Sequence, residues 1–170
     1  MWPDIQNPEE IPIPAPIIIP KIWKLKWEKV LPKQYFIATV EQSLNSLKLK
    51  VEIETTDTLE QKPITFLIDS GATGEFIDWD YAKSCRFNLI KLKQPIPVYN
   101  IDSTLNEAGS ITEVVHLILH HKNHSERTMF AITSLGKQKL MLGHSWLWNH
   151  NPEIDWAKGE VKMSRCPPLL

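Results

Sequence analysis

From Tyr35 onward the chain is a succession of short apolar runs broken by turn residues. That rhythm constrains the fold more than any other feature. Leu47-Lys48-Leu49-Lys50-Val51-Glu52-Ile53-Glu54 alternates strictly between apolar and charged residues. This is the period of a half-buried strand, with Leu47, Leu49, Val51 and Ile53 facing inward. Tyr35-Phe36-Ile37-Ala38-Thr39-Val40 is rich in aromatic and β-branched residues and predicts another strand. Ile64-Thr65-Phe66-Leu67-Ile68 is an apolar run that ends at Asp69-Ser70-Gly71. Further strands are expected at 96–101, 111–119, 127–133, 139–142 and 160–164. Helix is scarce. A short one is expected at 79–86, with Asp78 as N-cap and Asp80 in the first turn, and a second at 144–149. Short strands at regular spacing predict a closed or sandwiched all-β domain, and no internal repeat is visible.

The first 34 residues obey different rules. Of 13 prolines, seven (Pro3, Pro8, Pro12, Pro14, Pro16, Pro20 and Pro32) precede residue 33. Proline lacks an amide donor and biases its predecessor toward extended geometry, so this stretch suits neither helix nor central strand. Residues 1–34 read as an extended linker or arm, partly polyproline II. Within it, Ile22-Trp23-Lys24-Leu25-Lys26-Trp27 alternates like an edge strand. A nucleic-acid arm, with bases stacked on Trp23 and Trp27, is the competing reading. Residues 35–166 form the domain and 167–170 a tail.

At 170 residues there is room for one domain with a substantial core. Nineteen basic and 20 acidic residues leave a net charge of −1, so nothing in the overall charge draws the domain to nucleic acid. No apolar run reaches the length of a membrane span. Met1-Trp2-Pro3-Asp4 lacks the basic and apolar regions of a secretory leader. Two distant cysteines, Cys85 and Cys166, fit a reducing compartment better than a disulfide framework. The expectation is a cytoplasmic protein with no membrane partner.

The segment that carries chemistry is Phe66-Leu67-Ile68-Asp69-Ser70-Gly71-Ala72-Thr73-Gly74-Glu75-Phe76-Ile77. The bare Asp-Ser-Gly tripeptide is common, and a surface β-turn is its bland reading. Here, however, a buried strand runs straight into the aspartate, and an apolar pair, Phe76-Ile77, follows the turn. A carboxylate at the end of an apolar strand carries a desolvation cost that structural aspartates usually avoid. Gly71 permits close backbone approach where a Cβ would clash. A second element, Lys139-Leu140-Met141-Leu142-Gly143-His144-Ser145-Trp146-Leu147, is an apolar strand, a glycine and a short amphipathic helix.

Together these elements resemble the retropepsins, the single-lobed aspartic proteases of retroviruses and long-terminal-repeat retrotransposons. Asp69 to Ala72 matches that family's Asp-Ser/Thr-Gly-Ala loop. Met141-Leu142-Gly143 matches its hydrophobic pair and glycine before a short helix. Residues 97–112 occupy the place of its substrate-covering flap, although Gly109 is the one glycine there. Trp146-Leu147 followed by His150-Asn151-Pro152-Glu153-Ile154-Asp155-Trp156 looks like the Ty3/gypsy-type branch, whose protease lies within a Gag-Pol polyprotein. The resemblance spans roughly residues 35–166. It implies a single-lobed, closed all-β barrel with one or two short helices and aspartic endopeptidase activity.

The same resemblance implies residue roles. Acid proteases need two aspartates facing one water, and this chain offers one Asp-Ser-Gly: Asp102-Ser103-Thr104 and Asp155-Trp156-Ala157 lack the glycine. A second, identical chain would supply the other Asp69 across a twofold axis. Two adjacent carboxylates share a proton, a behaviour for which aspartic proteases are the standard example. One Asp69 would then be the general base and the other, protonated, would polarise the scissile carbonyl. Ser70 would hydrogen-bond across the dimer, Gly71 would contact substrate backbone, and Ala72 and Thr73 would complete the loop beside Leu142 and Gly143. Tyr99, Asn100, Ile101, Asp102 and Gly109 would belong to the flap, which binds a polypeptide as an extended strand. No cofactor and no metal is expected.

Other residues admit other readings. His116, His120, His121 and His124 cluster in sequence and could bind a metal. With no cysteine near them in sequence and no zinc-motif spacing, a solvated strand-and-turn end is favoured. Trp79, Trp146, Trp148 and Trp156 are expected in core or dimer packing, and both cysteines are expected to be inert. Ser70 lacks a triad context for a serine nucleophile. The rival of a different class is a catalytically silent module that keeps the fold for dimerisation or binding.

Overall fold

Alternation, β-branching and proline placement set where the strands begin and end. The structure, a computed structural model, describes residues 30–37 and 46–166. The proposed edge strand at 22–27 and most of the arm, the Ala38-Thr39-Val40 half of the first predicted strand, and the tail lie outside the described residues. In chain order the elements are β1 (Tyr35–Phe36), β2 (Lys48–Thr55), β3 (Gln61–Ile68), β4 (Glu75–Asp78), α1 (Trp79–Ser84), β5 (Ile90–Ile96) and β6 (Val98–Tyr99). Then come β7 (Ile111–His121), β8 (His124–Thr133), β9 (Leu140–Leu142), α2 (His144–His150), β10 (Glu153–Asp155) and β11 (Glu160–Lys162).

Six strands close on themselves in the order β2-β3-β9-β4-β8-β7, with β7 pairing back to β2. The protein is therefore all-β, a closed barrel with two short helices among the described residues. β7 is long enough to serve two neighbours: Leu117–His120 pair with β2, while the Ile111–Val114 end pairs with β5. In β2 the apolar residues point inward as the alternation predicts, with Leu49, Val51 and Ile53 all buried. They meet Phe66, Leu117, Leu119, Phe130, Leu140 and Leu142 in one core. Trp146 of α2 is inserted into the same core, 2% exposed, with its ring edge-on to Phe66.

Proline explains one difference from the sequence expectation. The strand expected across 96–101 is divided: β5 ends at Ile96 and β6 holds only Val98 and Tyr99. Pro97 between them has no N–H to continue a ladder, and its carbonyl instead accepts the Tyr35 N–H at 3.0 Å. β5 tolerates Pro95 because it is an edge strand, paired to β7 alone and irregular between Lys91 and Ile96. β4 and β10 are too short to show a period in sequence. α1 begins as expected: Asp78 accepts from the N–H groups of Asp80 and Tyr81. It ends at Ser84, short of the predicted 86, where Arg86 takes a left-handed φ of 55°.

Candidate active site

β9 runs between β3 and β4, parallel to the first and antiparallel to the second. The loop from Asp69 to Gly74 must therefore cross the end of β9 to join its two neighbours. The chain leaving β9 passes against that loop: the His144 N–H donates to the Ala72 carbonyl at 2.7 Å and the Ser145 N–H to the Thr73 carbonyl at 3.3 Å. Gly143 is what makes the crossing possible. A Cβ there would meet the Ala72 carbonyl oxygen at 2.5 Å and collide with the Gly74 carbonyl oxygen.

Asp69 is held at the barrel's edge by backbone. Its N–H donates to the Leu142 carbonyl at 2.9 Å, and its own carbonyl accepts from the Ala72 N–H at 3.2 Å. On the side chain, Oδ1 accepts the Gly71 N–H at 2.9 Å. Oδ2 is buried and has no hydrogen-bond partner among the described residues. One carboxylate oxygen is thus oriented, and the other is withdrawn from solvent with its lone pairs uncommitted. Ser70 and Gly71 are exposed beside it, while Ala72 is fully buried beneath.

β1 ties this loop to the Tyr99–Gly109 hairpin. Thr73 Oγ1 accepts the Phe36 N–H at 2.9 Å, and the Thr73 N–H donates to the Phe36 carbonyl at 3.0 Å. On its other side β1 lies parallel to β6, with Tyr35 opposite Val98 and Phe36 opposite Tyr99. Gly74 makes room for this arrangement, since a Cβ there would sit 2.6 Å from the Tyr35 ring. In the hairpin, Tyr99 bridges Leu105, and the tip is laced by its own polar groups. Asn100 Nδ2 donates to Thr104 Oγ1 (3.0 Å), Thr104 Oγ1 to Asp102 Oδ1 (2.6 Å), and Asn106 Nδ2 to Asn100 Oδ1 (2.8 Å). The Thr104 hydroxyl and amide hold the Asp102 carboxyl below its ordinary value. Ile101 and Leu105 project outward, 71% and 67% exposed. Gly109 closes the hairpin with a left-handed φ of 82°, a conformation that favours glycine.

Behind the loop lies a half-buried polar pair that sequence reasoning missed. Glu75 Oε1 accepts the Ser145 hydroxyl at 2.7 Å. Burial pushes the Glu75 carboxyl up, and the Ser145 bond opposes this only in part. Burial also raises the Tyr35 phenol, with the Glu75 charge adding to it. Glu75 follows the Asp69–Ala72 motif by three residues and Ser145 follows Gly143 by two, but no local pattern says that they meet.

One sequence expectation needs correction. The histidines are not a solvated end: His121 is 7% exposed, and His120 hydrogen-bonds Ser125 (2.6 Å) and Glu54 (3.1 Å). His124 lies with His150 and Cys166, so a cysteine is near after all, brought from 42 positions away by the fold. Among the described tryptophans, Trp146 is buried in the core and Trp79 packs against it, whereas Trp148 and Trp156 are 76% and 67% exposed on the single chain. Outward-facing positions on α2 and in the β10–β11 turn account for those two. No helix among the described residues is long and apolar enough to cross a membrane.

Comparison with known proteins finds two similar solved structures. One is the retroviral protease-like domain of Ddi1 from Leishmania major (16% identity, TM-score 0.47, 72% of this chain and 93% of that one). The other is EIAV protease complexed with the inhibitor HBY-793 (13% identity, TM-score 0.43, 68% and 99%). At those values neither supports more than a likeness. The PEG10/RTL1 protease domain, by contrast, matches residues 65–167, which takes in the Asp69 loop, the Tyr99–Gly109 hairpin, β9, α2, β10 and β11. That match covers well over half of the sequence, and the chain belongs to the PEG10/RTL1 protease domain family.

Proposed function

We propose that this chain is an aspartic endopeptidase whose active site forms when two copies bring their Asp69 side chains together around one water. The observation that carries the reading is the state of Asp69. Its Oδ1 is anchored by the Gly71 N–H, and its buried Oδ2 is without a partner. A buried acceptor left unsatisfied costs about 1–3 kcal/mol, and a facing carboxylic acid or a shared water would satisfy it. In the pair, one Asp69 takes a proton from the water while the other donates one to the scissile carbonyl oxygen. The attack yields a tetrahedral diol, and protonation of the leaving nitrogen releases two peptides. Titration then belongs to the pair and not to either carboxyl.

The remaining roles follow from position. Ser70, exposed beside Asp69, would bridge to the second copy, and Gly71 would accept close approach of substrate backbone. The Tyr99–Gly109 hairpin would close over an extended peptide, with Ile101 and Leu105 as its apolar contacts. A Ty3/gypsy-type Gag-Pol polyprotein is the proposed substrate, with residues 1–34 as the linker and the cytoplasm as the place of action. The direct test is cleavage of a Gag-Pol-derived peptide library at mildly acid pH. Activity should rise more steeply than linearly with protein concentration, be blocked by pepstatin and vanish in Asp69→Asn. A folded, dimeric wild type that cleaves nothing across pH would refute the enzyme and leave a binding module.

A further inference from the structure

Away from Asp69, three segments distant in sequence place metal-binding side chains together. The ligand atoms of His124 (β8), His150 (the last turn of α2) and Cys166 (the C-terminal turn) all lie within 4.8 Å of one another. A tetrahedral zinc ion with imidazole and thiolate ligands sets those separations at roughly 3.3–3.6 Å. Binding would draw these atoms closer by at most about 1.5 Å.

The donor chemistry is half arranged. His124 Nε2 is buried and makes no hydrogen bond among the described residues; Glu126 Oε1, at 3.6 Å, lies beyond hydrogen-bond reach. His150 Nδ1 is 2.8 Å from the Trp146 carbonyl, which can only accept, so Nδ1 carries the proton. That leaves Nε2 to meet the Glu126 carboxylate at 2.9 Å, which requires either a second proton or a cation on that nitrogen. A backbone carbonyl fixing the far nitrogen is the usual outer support of a metal-bound histidine. The His150 ring is further fixed by stacking on Trp146 at 4.6 Å, and it stands edge-on to His124 at 5.0 Å. Trp146 Nε1 pins Glu126 Oε1 at 2.6 Å, leaving Oε2 turned toward His150. Cys166 is a free thiol.

A cleft of about 250 Å³, lined in part by His124, Met163 and Cys166, opens on the cluster and offers an entry path. Lys122 and Lys162 also line it. Their charge opposes a bare cation but not one neutralised by a thiolate and a carboxylate. One thiolate and two imidazoles with a carboxylate alongside form a borderline-soft donor set that suits Zn²⁺ rather than Mg²⁺ or Ca²⁺.

We propose that His124, His150 and Cys166 bind one Zn²⁺, with Glu126 facing the fourth position, and that the ion staples the C-terminal turn to β8 and α2. The site is independent of the protease reading, because none of its ligands belongs to the Asp69 loop or the flap. The test uses the full chain, freed of metal by a chelator and titrated with Zn²⁺ against a chromophoric competitor, with Co²⁺ as the spectroscopic probe. One ion per chain is expected. The Co²⁺ form should show tetrahedral visible bands and a thiolate-to-cobalt charge-transfer band. Cys166→Ser should erase that band, and both Cys166→Ser and His124→Gln should weaken Zn²⁺ binding by more than about 10-fold. Cys85→Ser and Asp69→Asn should leave both readouts unchanged. The proposal is overturned if the folded wild type takes up no stoichiometric ion. It is equally overturned if the charge-transfer band survives Cys166→Ser in a chain whose circular dichroism is native.

Discussion

Replacing Gly143 by alanine should be among the most damaging single-methyl insertions in this domain, and the reason is purely steric. Gly143 has φ −97° and ψ −164°, a backbone conformation open to any residue. Alanine would even gain about 0.4–1 kcal/mol by restricting the unfolded chain. Against this, the new Cβ would stand 2.5 Å from the Ala72 carbonyl oxygen and closer still to that of Gly74. An ordinary C···O contact is roughly 3.3 Å or more, so the overlap approaches 1 Å. Both obstacles are backbone and cannot rotate away. Relief requires the Asp69–Gly74 loop to retreat from β9, which strains the bonds from His144 to Ala72 and from Ser145 to Thr73. Overpacking of about 1–3 kcal/mol, plus about 1 kcal/mol for each weakened bond, leaves a net loss of about 3 kcal/mol.

Urea unfolding followed by tryptophan fluorescence, at one protein concentration throughout, should show the midpoint falling by at least about 1 M. Gly136 provides the contrast: its φ is +63° and nothing lies within 4 Å of a Cβ there. Gly136→Ala should cost about 1–2 kcal/mol of backbone strain alone. Asparagine, which tolerates that conformation, should recover part of the loss at 136 and deepen it at 143. A Gly143→Ala midpoint equal to that of wild type would refute the steric argument.

Thr73→Val removes the oxygen that receives the Phe36 N–H and should loosen β1 from the loop at a cost of about 1–2 kcal/mol. Thr73→Ser should keep most of that stability, and matched denaturation curves would show the difference. Glu75 carries a pH signature. Its folded-state pKa is raised above the ordinary 4.5 by burial, so the folded state holds the proton more tightly than the unfolded one. Stability from this group is fully present below pH 4.5 and is lost as pH rises through the folded value. Glu75→Gln keeps an acceptor for Ser145 and should therefore stabilise at pH 7 but not at pH 4. Equal shifts at the two pH values would show that ionisation of Glu75 is not the cause.

What the sequence determined by itself was local. Alternation in 47–54 told which side of β2 is buried, because side-chain direction in a strand has period two. Asp78 announced its cap through a hydrogen bond spanning three residues. Asp-Ser-Gly-Ala after an apolar strand, with Met-Leu-Gly downstream, marked the Asp69 loop and the strand that underlies it. Tertiary structure decided everything that depends on meeting across the chain. It closed the barrel through β7 on β2, threaded β9 between β3 and β4, and stitched Phe36 to Thr73. It set Glu75 against Ser145, left Trp148 and Trp156 exposed on the single chain, and gathered His124, His150 and Cys166 from three segments. A strand's period says which of its faces is apolar, but says nothing about which strand lies beside it. Spacing rules find a site only when its residues are neighbours in sequence, and here strand pairing over dozens of residues made them neighbours in space.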